Sequence, residues 1–65
     1  MAMIEVQELL GEELKKGWIN DQMITFVRAI EVENKPHLQV FMDTCVQQSV
    51  IILDDGVLRA ALGIQ

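Results

Sequence analysis

His37 and Cys45 are the one histidine and the one cysteine of this chain, and together they are the residue types of a base and a thiol nucleophile. They stand eight positions apart. A helix over this stretch separates them by ~12 Å, too far for a hydrogen bond between imidazole and thiolate. Within one chain the dyad therefore fails, and only two copies could bring the pair together. The expectation is a Cys45 packed as a small apolar side chain on a stripe with Leu38, Phe41 and Met42, and a His37 near the start of an element. Structural zinc asks for about four N or S ligands, which this pair does not supply. Glu33 and His37 have the spacing of ligands on one helical turn, but Pro36 between them breaks the helix that would align them.

Asp54-Asp55-Gly56 has the look of an acidic cation turn. A calcium loop continues with oxygen ligands at alternate positions and a closing glutamate. Here Val57, Leu58 and Ala60 follow, so the segment reads as a turn and a helix cap. Gly11, Gly17, Gly56 and Gly63 are too scattered for a phosphate loop, and Ser49 lacks the context of a nucleophile elbow. No catalytic residue, cofactor or metal follows from these residues, and the chain reads as non-enzymatic.

The composition narrows the classes further. Sixty-five residues make one domain, spanning 1–65, near the lower limit for folding alone. The formal net charge is −5, with ten acids against five bases, which argues against a nucleic-acid partner. A helix-turn-helix reader would present polar side chains to base edges, whereas Val57-Leu58-Arg59-Ala60-Ala61-Leu62 offers Arg59 alone. The most apolar window, Leu38 to Leu53, is interrupted by Asp43, Gln47 and Gln48 and is too short to span a bilayer as a helix. With a lone cysteine and an N-terminus unlike an export signal, the expected setting is cytoplasmic.

What remains is to place these residues on elements. Met3, Val6, Leu10 and Leu14 recur at helical spacing, opposite Glu5, Glu8, Glu12, Lys15 and Lys16. This predicts a first helix over 2–16, closed by Gly17 with Trp18 folding back on its last turn. Asn20-Asp21 then caps a second helix carrying Met23, Phe26, Val27 and Ile30. The competing reading of that segment is a strand, since Thr25, Phe26, Val27, Ile30 and Val32 favour sheets and Ile30-Glu31-Val32-Glu33 alternates. Glu33-Asn34-Lys35-Pro36 is the clearest break. Pro36 opens a third helix, with Leu38, Phe41, Met42 and Cys45 on one edge and Val40, Val46, Val50 and Leu53 on another. Alternatively it lies in the turn of a hairpin joining Ile30–Val32 to Leu38–Phe41, and Val50-Ile51-Ile52-Leu53 is a short buried strand. A short helix over 57–62 follows, capped by Asp54 or Asp55 and ended by Gly63, with Ile64 folding back on it.

The fold expected from these patterns is all-α: three amphipathic helices and a short fourth, completed as a homodimer. The alternative is α+β, with a hairpin around residues 30–41. The oligomer interface would comprise Leu38, Phe41, Met42, Cys45, Val46, Val50, Ile52 and Leu53. Trp18, Ile19, Val57 and Leu58 would meet a second protein, with Glu5, Glu8, Glu12 and Glu13 as an acidic rim. The function that follows is a small regulator or adaptor that binds itself and masks a partner protein. The alternative is a structural subunit whose partner is itself. A small-molecule or metal binder and a DNA reader rank below both.

Overall fold

The all-α expectation is wrong. The computed structural model, which describes residues 3–43 and 47–64, shows one five-stranded antiparallel sheet and a single short α-helix. The strands are β1 (Met3–Leu10), β2 (Glu13–Asn20), β3 (Ile24–Val32), β4 (Lys35–Asp43) and β5 (Gln47–Leu53), followed by α1 (Val57–Leu62). The α+β alternative also fails as a fold class, although residues 30–41 do form a hairpin, as part of β3 and β4.

The turns explain why strands form where the helix period was read. Gly11, inside the span 2–16 expected as the first helix, has φ +67° and starts the two-residue turn joining β1 to β2. A glycine at the first central position is what a type II′ hairpin turn requires. Glu33 and Asn34 both have positive φ, 52° and 65°, as in a type I′ turn between Val32 and Lys35. Pro36 is therefore the second residue of β4 and no helix start. Its carbonyl accepts from the Asp54 N–H at 3.1 Å. Gly17, expected to end a helix, is a residue within β2, and the Glu8 side chain lies beside it.

The strand order is β2-β1-β5-β4-β3, so β2 and β3, consecutive in the chain, lie at opposite edges. Between them stand only the three residues of a 3-10 turn, Asp21–Met23, capped by the Asn20 side chain on the Gln22 N–H. A flat sheet of this width sets its outer strands ~19 Å apart. The four Cα steps from Asn20 to Ile24 reach at most ~14 Å even when fully extended. The sheet must therefore curl until its two edges approach at this corner, giving a partly open barrel.

Curling defines an inside. Ile4, Val6, Ile19, Leu38, Val40 and Ile52 share the concave face and are all buried, with Val40 wholly inaccessible. Leu58 of α1 joins this core, so the helix closes one end of it. Burying a side chain of this kind contributes ~1.5–3 kcal/mol.

The helix expected over 57–62 is present. The Val57 N–H donates to Asp55 Oδ1 at 3.1 Å. Gly63 takes φ +71°, its N–H reaching the Ala60 carbonyl and that of Ile64 the Arg59 carbonyl. This is the Schellman arrangement.

Candidate functional site

The expected interface and partner residues are distributed over both faces of the sheet and do not form one surface. Leu38 and Ile52 pair across β4 and β5 on the concave side and are filled in by the chain's own core. Met42 and Val50 are half-buried against the same core. Phe41 and Leu53 belong to the opposite, convex side, where Leu53 pairs with His37 and Phe41 with Ser49. Cys45 and Val46 lie outside the described residues. Among the partner residues, Ile19 and Leu58 are core, whereas Trp18 and Val57 are exposed. Glu5, Glu12 and Glu13 are exposed and Glu8 is half-buried.

The residues singled out for chemistry are engaged locally. Arg59 Nε donates to both carboxylate oxygens of Asp54 at 3.0 Å, tying α1 to the end of β5. Asp55 Oδ1 accepts from the Val57 N–H at the helix start, while the cap position expected for Asp54 or Asp55 is held by Gly56 without a side-chain bond. The acidic turn is thus spent on holding the helix. His37 is buried, with Nδ1 2.9 Å from the Lys35 carbonyl. A carbonyl only accepts, so Nδ1 carries the proton in this contact. His37 borders a cleft of about 210 Å³ on the convex side, together with Leu9, Leu14, Leu53 and Glu33. Among the described residues no group of three or more His, Cys, Asp or Glu could hold a metal ion. No helix of the described residues is long and apolar enough to cross a membrane.

Two other features were missed by the sequence reading. The first is an aromatic cluster on the convex face. Phe26 and Phe41 pair across β3 and β4 with ring centroids 5.6 Å apart. The Arg28 guanidinium lies over both, 5.5 Å from the Phe26 centroid and 6.0 Å from that of Phe41. Phe26 remains 53% exposed. The helical pattern grouped Phe26 with Met23, Val27 and Ile30 rather than with Phe41.

The second feature is the edge strand β3 itself. A bulge between Ile24 and Phe26 places two residues opposite Phe41, and the Thr25 hydroxyl donates to the Phe41 carbonyl at 3.2 Å. From Phe26 to Val32 the pairing with β4 is regular. In a two-residue hairpin the pair flanking the turn exchanges both hydrogen bonds, so Val32, Ile30 and Arg28 bond to β4. The backbone groups of Val27, Ala29 and Glu31 then point away from the sheet. The Asp54-to-Pro36 bond fits this phase, since Pro36, opposite Glu31, turns its carbonyl from β3 toward β5.

β2 is the other edge, and it differs in character. It carries Glu13, Lys15 and Lys16, all exposed, and the interior Gly17. Charged side chains and glycine are the usual means of discouraging an edge from pairing. β3 has one cation, Arg28, and one acid, Glu31, among nine residues. Comparison with protein-family models, curated proteins and solved structures finds no match to this chain.

Proposed function

We propose that this chain is a structural subunit without catalysis, whose partner is a further copy of itself joined along an open sheet edge. The observation that carries this reading is the edge strand β3, which is nine residues long, regular from Phe26 to Val32, and has no strand beyond it among the described residues. Such an edge is a template for another strand, and proteins that do not use one commonly blunt it. The exposed Phe26 within it adds apolar surface to the same place. The masking of a partner's surface by the residues first expected for it has less support, because Ile19 and Leu58 are consumed by the core. Size-exclusion chromatography with light scattering tests the proposal. The expected mass is twice that of the 7.4 kDa chain or a higher multiple. A single-chain mass across a wide concentration range overturns it.

A second reading, an adaptor for a different protein, rests on Trp18. Its side chain is 58% exposed and shares the convex face with Met3, 57% exposed. Trp is over-represented among residues that anchor protein interfaces. Replacing Trp18 with Ala should abolish capture of such a protein while leaving self-association intact. Equal capture by both forms counts against this reading.

A further inference from the structure

We infer that two copies pair β3 against β3 in antiparallel fashion, with the two-fold axis at Ala29. This rests on the self-association reading above and adds its register. Backbone phase restricts the choices. Val27, Ala29 and Glu31 point outward, so an antiparallel mate must set outward groups against outward groups. Two-fold axes are then confined to residues 27 through 31, each giving a different set of side-chain neighbours.

Three observations select among them. An axis at Arg28 would align all of Ile24–Val32 but place Arg28 directly opposite its own copy, and like charges in that position are destabilising. It would also enlist Ile24 and Thr25, where the bulge interrupts the strand. An axis at Val27 meets the same bulge. An axis at Ile30 or Glu31 shortens the aligned segment to residues 28–32 or less. The axis at Ala29 aligns Phe26 through Val32, the whole regular part of the strand. It sets Arg28 against Ile30, Glu31 against Val27 and Phe26 against Val32. No like charges stand opposite each other, and the exposed Phe26 ring acquires an apolar neighbour beyond Phe41.

The surroundings leave room for the mate. The 3-10 corner draws β3 toward β2 only at its Ile24 end. At the other end no further strand flanks Ala29, Ile30 and Glu31 among the described residues. Ala29 and Glu31 are exposed although their side chains lie on the concave face. The near side of β3 is thus sealed by β4, and its far side opens where the axis falls.

Disulfide trapping in a Cys45→Ser background reads the register. Directly opposed residues that exchange both hydrogen bonds have Cα atoms ~5.5 Å apart, within disulfide range. Ala29→Cys should cross-link to itself under mild oxidation. Val27→Cys and Glu31→Cys should each stay uncoupled alone and should cross-link when mixed. Self-linking of Val27→Cys or Glu31→Cys, with a dimeric mass retained, overturns the register but leaves self-association standing. A monomeric mass for the unmodified chain overturns both. Because a cysteine can disturb the edge, a chain with an N-methylated Ala29 amide serves as a second variant. That amide is outside the β4 ladder, so the circular dichroism spectrum should persist while the mass falls twofold. An unchanged dimeric mass in this variant contradicts the proposed edge.

Discussion

Ala29 and Leu38 face each other across the β3–β4 ladder on the concave side of the sheet, yet Leu38 is 2% exposed and Ala29 is open to solvent. Two side chains on one face of one ladder thus live in different surroundings. Leu38 has β5 on its other flank, whereas Ala29 has no strand beyond it. The asymmetry locates the place where the curl of the sheet stops short of closure. It also separates two kinds of substitution, those that unfold the chain and those that act on its outer edge.

Leu38→Ala and Ile52→Ala belong to the first kind. Each removes a side chain packed in the core and leaves a cavity, at a cost of about 2–5 kcal/mol. In a domain this small that loss is comparable with the whole stability. Urea denaturation should show a strongly lowered midpoint or no folded baseline. A midpoint shift no larger than that of a surface substitution would mean that the concave face is not the core.

The β3–β4 turn is expected to be improvable. Glu33 occupies left-handed space, which costs a side chain with a Cβ roughly 1–2 kcal/mol. Replacing Glu33-Asn34 with Asn-Gly supplies the preferred type I′ pair and should raise stability by about 1 kcal/mol. Thermal denaturation checks this. A lower melting temperature for the double variant would contradict the turn assignment.

Asp54 and Arg59 should behave as a coupled pair. Their side chains are 14% and 29% exposed, and the guanidinium Nε meets both carboxylate oxygens at 3.0 Å. Hydrogen bonds to charged groups contribute ~1.5–3 kcal/mol, and the remaining exposure reduces that to about 1 kcal/mol of coupling here. A double-mutant cycle with Asp54→Ala and Arg59→Ala measures it. Strictly additive losses would show that the contact does not anchor α1.

Gly63 ends that helix with φ +71°. Gly63→Ala should destabilise by about 1 kcal/mol, while Ala61→Gly, inside the helix and exposed, should cost a similar amount for the opposite reason. The pair of melting curves distinguishes a left-handed cap from a helix that continues past it.

The sequence was legible where local chemistry decides and misleading where the two sides of a strand carry similar side chains. Asp55, Gly56 and Gly63 punctuate the two ends of a short helix in the local sequence, and it forms over the expected residues. In β1, Ile4 and Val6 point inward, yet Leu9 lies on the convex side beside Leu14. With apolar residues on both sides, the alternation of a strand is erased, and Met3, Val6 and Leu10 fall into helical spacing by coincidence. The same happens in β4, where Phe41 stands outside and Val40 inside. The signals that did carry strand information were the β-branched and aromatic residues of β3, and the asparagine Asn34 within the turn before Pro36. The open edge was not legible in any single segment, because it follows from strand order, and strand order follows from long-range pairing between β1 and β5.

The central claim is that β3 is covered by a second β3, and amide hydrogen exchange followed by NMR reads this most directly. The N–H groups of Val27, Ala29 and Glu31 bond to nothing within the chain's own ladder, whereas those of Arg28, Ile30 and Val32 bond to β4. At high protein concentration all six should be protected, and dilution should release the first three while the others stay slow. Unprotected amides at Val27, Ala29 and Glu31 at every concentration, beside slow ones at Arg28, Ile30 and Val32, would contradict the account.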